Sequence, residues 1–220
     1  MKTFLSIGAG PGMGFATAER FAKEGFRLIL AARNAAKTGQ LAQQLKSKGH
    51  KAEVRTVDSS DPESVARLVA EVEKQHGSID VLHYNAASMR KASLAEQPRD
   101  TLNGDLAVNI GGALVAAKAV APKMEERKSG AILLTGGGFA LAPSPDYLSL
   151  SIGKAGIRAL ALGLFEPFRE KGIHVATVTV AAFVSPESKE AESVAEHFWH
   201  LYSQPKEAWT AEAHYSPASA

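Results

Sequence analysis

Few side chains in this sequence could carry a reaction, and those that could follow apolar runs. Residues 2–7 lead into Gly8-Ala9-Gly10-Pro11-Gly12-Met13-Gly14. Glycines allow a tight turn and let main-chain N–H groups approach a phosphate at the start of the next helix. Gly8, Gly12, Met13 and Gly14 are therefore the candidate pyrophosphate site, with tight strand-to-helix packing as the competing reason for the glycines. Arg33 closes the second apolar run, about 19 positions past Gly14, where an acid against the ribose hydroxyls would select NAD. An arginine instead offers planar, charged donors for a 2′-phosphate, which favours NADP(H) over NAD(H). His83 sits in a strand-like run and reads as a structural histidine. His197, His200 and His214 lack a carboxylate at ligand-like spacing, so no metal site is assigned.

The elements that must position these groups alternate. Strands are expected at 2–7, 26–32, 51–57, 81–84, 131–134 and 174–180, and helices at 15–24, 35–48, 62–76, 101–127 and 147–170. Asp61 and Pro62 suit a helix cap and first turn, and Pro167 is expected to kink its helix. Beyond residue 185 the pattern reads as a loop, a helix over 187–203 and a short edge strand at 212–215. Strands and helices in turn on short connections imply a single α/β domain over 1–220: one doubly wound, mostly parallel sheet, a Rossmann fold, with helices on both faces. Ligands on such sheets bind outside the C-terminal strand ends.

Composition narrows the function classes. A chain of 220 residues with 45% hydrophobic and 22% charged residues suits one globular domain. The net charge of +2 and the scattered Lys and Arg residues give no support for nucleic acid. No apolar run is expected to span a bilayer and no secretory signal is recognised, so a cytoplasmic protein without a membrane role is expected. With no cysteine, disulfides, thiolate nucleophiles and Cys-ligated zinc are excluded.

From residue 2 to at least 180 the chain resembles the short-chain dehydrogenase/reductase family. Gly8, Gly12 and Gly14 match that family's cofactor loop, with Ile7 in place of its usual Thr. Asp58 falls on its adenine-contacting acid, and Asn85-Ala86-Ala87 on its Asn-Ala-Gly segment. Asn109 falls on its helix-kinking, water-holding Asn, and Gly153-Lys154-Ala155 on the segment with its active-site lysine. The resemblance implies an oxidoreductase acting on a small-molecule carbonyl or alcohol, with Asn109 and Lys154 in the catalytic region and Lys154 also on the nicotinamide ribose.

The remaining catalytic pattern departs from the family. Leu150 stands one helical turn before Lys154, where the family has its proton-transferring Tyr. The serine position falls on Gly137 or Gly136, and the family's Pro-Gly after the sixth strand is Ala181-Ala182. Tyr147, two turns before Lys154, is the candidate replacement acid, with packing at the cleft mouth beside Pro143 and Pro145 as its other reading. A non-catalytic NADP-binding pseudoenzyme, acting as a cofactor sensor or partner subunit, is the alternative function. The two long helices are rich in small residues. They are expected either to approach the sheet closely or to form a homodimer or homotetramer interface, as the resemblance implies. The stretch 183–210 is expected to act as a substrate lid.

Overall fold

Every residue of β1 (Thr3–Ile7) is buried, and its side chains alternate between two apolar cores, Phe4 on one side and Leu5 and Ile7 on the other. A strand apolar on both faces suits a parallel sheet covered by helices on each side. In the computed structural model, which describes residues 1–217, seven strands form one sheet. The others are β2 (Arg27–Ala32), β3 (Ala52–Thr56), β4 (Val81–Tyr84), β5 (Gly130–Thr135), β6 (Ile173–Val180) and β7 (Glu212–Tyr215). Their order is β3-β2-β1-β4-β5-β6-β7 and every neighbouring pair is parallel. The doubly wound α/β expectation holds, and the sheet is parallel throughout because a helix crosses over even between β6 and β7.

Helices α1 (Met13–Lys23), α2 (Ala35–Ser47) and α7 (Lys189–Ser203) cover the face that carries Phe4 and Leu28. On the opposite face lie α3 (Pro62–His76), α4 (Leu102–Leu106), α5 (Gly112–Glu126) and α6 (Leu148–Glu170). Local sequence sets their starts. The Asp61 carboxylate accepts from the Glu63 N–H at 3.0 Å, with Pro62 at the first helical position, and Asn34 accepts from the Lys37 N–H at 3.0 Å. The chain leaves β1 for β2 on one side and returns to β4 on the other. That reversal opens a cleft beyond the strand ends.

Three expectations are refined or corrected. The helix expected over 101–127 forms with a π-helical turn at Ala107–Gly111 between α4 and α5, where the family resemblance implied a kink at Asn109. Asn109 lies within that turn and its side chain bonds elsewhere, which favours an extra residue in the helical ladder. The second correction concerns the lid. Ser188 caps α7, whose Val194, Phe198 and Leu201 are buried in the sheet core. Most of 183–210 is therefore a core element, and only its first residues face the cleft. Third, Arg99–Glu126 and Leu148–Glu170 are each long and apolar enough to cross a membrane. Part of their apolarity serves the interior, where Ala116, Val120 and Met124 of α5 and Ile157 and Ala161 of α6 pack against the sheet, while Leu114, Ile152 and Leu162 are exposed.

Candidate active site

The glycine loop closes over the end of β1 through contacts that tolerate no larger residue. Gly8 has φ +86°, and a Cβ there would lie 2.3 Å from the Ala86 nitrogen. At Gly14 a Cβ would lie 2.9 Å from the Gly8 carbonyl oxygen. Packing therefore accounts for these two glycines. It does not account for Gly10, which has no atom within 4 Å of such a Cβ, or for Gly12, whose nearest neighbour would be 3.9 Å away. Gly10 and Gly12 both line the cleft. Among the described residues the N–H groups of Gly12, Met13 and Gly14 have no hydrogen-bond partner, and α1 has no side-chain cap. A phosphate-sized anion fits this arrangement on two counts: free donors at a helix start, and space that side chains would fill.

Arg33 reaches the same cleft at the end of β2, and Lys37 lines it from the first turn of α2. Neither forms an ion pair among the described residues. Lys37 escaped the sequence reading; its position one turn after Arg33 was the available signal. Asp58 is exposed and does not line the cleft, although Ser59 does. The Asp58 carboxylate accepts from the Ser60 N–H at 2.9 Å and hydroxyl at 2.7 Å. Those two bonds hold it below the usual carboxylate range, with a smaller contribution from Arg33.

A directed hydrogen-bond chain lies beneath the cleft floor. Asn85 donates to the Gly8 carbonyl at 2.9 Å, and its oxygen accepts from the Thr135 hydroxyl at 2.9 Å. With that proton committed, Thr135 accepts from His83 Nε2 at 3.2 Å, and His83 Nδ1 accepts from Ser6 at 3.2 Å. His83 is fully buried, and desolvation pulls its pKa down to about 3. It is a neutral structural histidine, as its strand position suggested. The same Thr135 accepts the Lys154 ammonium on its backbone oxygen at 2.7 Å. Lys154 lines the cleft from α6 and keeps partial exposure, while burial of its ammonium lowers its pKa to about 8.

Around Lys154 the hydroxyls are missing or engaged. Leu150 lines the cleft and is 2% exposed, filling the place one turn before the lysine. Gly136 and Gly137, the two residues at the expected serine position, differ in the room around them. A Cβ on Gly136 would strike the Thr177 hydroxyl at 2.6 Å, whereas one on Gly137 would touch the Lys154 stem at 3.2–3.4 Å. Ser149 donates to Asp105 at 3.2 Å, and Ser151 to the Tyr147 carbonyl at 2.9 Å. Tyr147 is the N-cap residue of α6 and does not line the cleft. Its ring stacks on Phe139, with centroids 5.5 Å apart, and lies 5.7 Å from Phe183. These aromatic rings take the packing role expected for Pro143 and Pro145.

Asn109 is 2% exposed and faces the loop after β4 rather than the cleft. Its amide oxygen accepts from the Ser88 N–H at 2.6 Å and its nitrogen donates to the Ser88 carbonyl at 3.3 Å. Gly153 lets α6 press onto it, since a Cβ there would lie 2.3 Å from the Asn109 Cβ. One turn earlier, buried Asp105 accepts from Ser88, Arg90, Gln97 and Ser149. This hub fixes the loop after β4 against the start of α6. Its partners come from the loop after β4 and from α6, so no local spacing signals it.

Comparison with known proteins agrees with this geometry. The family model described as short chain dehydrogenase matches residues 2–195. Glucose 1-dehydrogenase of Gluconobacter oxydans (strain 621H) is 32% identical over 187 residues, covering 84% of this chain and 70% of that protein. The crystal structure of a short-chain dehydrogenase from Rhodopseudomonas palustris superposes with a TM-score of 0.89 at 25% identity, covering 99% of both chains. A metagenomic short-chain oxidoreductase in complex with NADP shares the fold at a TM-score of 0.92 and 24% identity, covering 99% of this chain and 98% of that one.

Proposed function

Because the chain belongs to the short-chain dehydrogenase family, we propose that it is an NADP(H)-dependent oxidoreductase acting on a carbonyl or alcohol through an atypical active site. The observation that carries this reading is the open glycine loop, with three free N–H groups and with Arg33 and Lys37 unpaired in the same cleft. The loop would hold the pyrophosphate, and the two cations would favour a 2′-phosphate. Asn85 fixes the Gly8 carbonyl, and Lys154 would meet the nicotinamide ribose. When bound, the cofactor supplies a hydride to a carbonyl or removes one from an alcohol. Protons on the reacting oxygen would come from water or from Lys154, since the side chains at 137 and 150 carry none.

Those two positions favour a second reading, a pseudoenzyme that binds NADP without turnover. The two separate in one experiment, in which NADPH and NADH are titrated and a carbonyl panel is followed by NADPH absorbance. Tighter NADPH binding with turnover supports the oxidoreductase. Binding without turnover, together with activity gained by Gly137→Ser plus Leu150→Tyr, supports the pseudoenzyme. Tyr147 as a replacement acid requires wild-type turnover that disappears in Tyr147→Phe.

In the assembly we propose, the outer faces of α5 and α6 form a homodimer or homotetramer of a cytoplasmic protein. Leu114, Ile152 and Leu162 are exposed there, while Gly112, Gly153 and Gly156 already serve packing within the chain. Sedimentation of Leu114→Glu plus Ile152→Glu tests it, with a monomer expected.

A further inference from the structure

The reactant end of the cleft has few polar groups left to recognise a ligand. Of the residues that line a cavity of about 1010 Å³, the only ionisable side chains are Arg33, Lys37 and Lys154, and the first two belong to the glycine-loop end. Thr135 is saturated by His83 and Asn85, and Asn85 is already engaged with Thr135 and Gly8. Lys154 has donated one of its three hydrogens to the Thr135 carbonyl and keeps two. The surrounding wall is carbon: Met89, Phe139, Leu150, Ala182 and Phe183. At the mouth, Phe139 and Phe183 meet edge to face with centroids 6.0 Å apart, and Phe183 is 65% exposed. An aromatic side chain held open beside an enclosed apolar wall offers a ring face to a ligand. Only eight residues, 181–188, join β6 to α7, and α7 packs one face on the core, so this wall is not covered from that side.

We propose that this end of the cleft takes an uncharged, ring-bearing apolar carbonyl compound, with its ring against Phe139 and Phe183 and its oxygen toward Lys154. The choice of ligand class rests on the oxidoreductase reading above. An aldose would bring several hydroxyls to a wall whose side chains offer one free donor, Lys154, and each buried hydroxyl without a partner weakens binding. This separates the chain from its glucose 1-dehydrogenase relative in the reactant it accepts. A short oxo acid would place its carboxylate among carbon atoms with one lysine in reach, and it has no ring to fill the mouth.

The test is calorimetric titration of the protein, with and without saturating NADPH, using 1-tetralone, glucose and pyruvate as probes. Tetralone is expected to bind at least ~10-fold more tightly than the other two, and Phe183→Ala to weaken it about five-fold. Because Phe183 is exposed, that variant should keep its melting temperature. Equal or tighter binding of glucose or pyruvate overturns the proposal, as does tetralone affinity unchanged in both Phe183→Ala and Phe139→Leu. Tetralone bound with the expected preference but without NADPH consumption supports the ligand class and overturns the oxidoreductase reading instead.

Discussion

At the glycine-loop end of the cleft, three backbone N–H groups lack a hydrogen-bond partner and two cations lack an ion-pair partner among the described residues; around Lys154, the hydroxyls of Thr135, Ser149 and Ser151 are all committed to protein groups. The first end is built to receive an anion. The second is walled largely by carbon and offers one charged side chain, Lys154. The contrast shows how binding and chemistry separate on a shared fold: cofactor recognition rests largely on backbone geometry, whereas proton transfer rests on individual side chains that can be exchanged without disturbing the sheet. Under the proposed atypical site, Gly137 and Leu150 are such exchanges.

The contrast can be broken or sharpened by substitution. The largest effect is expected from Gly8→Ala, which places a Cβ against the Ala86 backbone at positive φ. It should destabilise the chain by about 3 kcal/mol or more, read by denaturant unfolding. Gly12→Ala is its counterpart, with open space for the methyl group but a backbone (φ −88°, ψ −123°) outside the α and β regions. It should cost about 1 kcal/mol of stability, less than Gly8→Ala, while NADPH affinity falls at least ~10-fold because a bound phosphate requires that space. Equal NADPH binding by Gly12→Ala and wild type would remove the phosphate assignment. Arg33→Ala should weaken NADPH about five-fold at low salt and leave NADH unchanged. An equal loss for both cofactors would place the arginine elsewhere on the nucleotide.

The smallest effect concerns Lys154. Its pKa of about 8 in the folded chain lies below the ~10.4 of a free lysine. Between those values the unfolded chain binds more protons, so stability should rise with pH across that window and stay lower below pH 8. In Lys154→Met the rise should vanish, a difference of no more than about 5 °C in melting temperature. A wild-type profile that already matches Lys154→Met would show that the ammonium is not desolvated.

Much of the fold was legible because its signals are local. Asp61-Pro62 and Asn34 start helices where their side chains can reach the first free N–H groups. The β-strands show as apolar runs because both faces are covered. What sequence could not show depends on contacts between distant stretches. The kink at Asn109 was implied by resemblance, but its bond to Ser88 across a loop was not. Residues 183–210 looked like a lid by position, yet Val194, Phe198 and Leu201 share one helical face and bury it. Tyr147 had suitable spacing from Lys154, but helix arithmetic stops at the N-cap, where the backbone turns its ring toward Phe139. That Gly136, Gly137 and Leu150 carry no hydroxyl was legible residue by residue, and only the structure shows that a Cβ at Gly136 would meet the Thr177 hydroxyl and one at Gly137 the Lys154 stem.

Thr135 has a consequence beyond its hydrogen bonds. Its hydroxyl holds Asn85, which holds the glycine loop, while its carbonyl holds Lys154. The last residue of β5 is thus a shared anchor for parts of the site that come from opposite sides of the switch point. A displacement of that one peptide would be transmitted to the loop and the lysine together, through the side chain to one and the main chain to the other. The two ends of the cleft, so different in chemistry, are mechanically a single body pinned at one point.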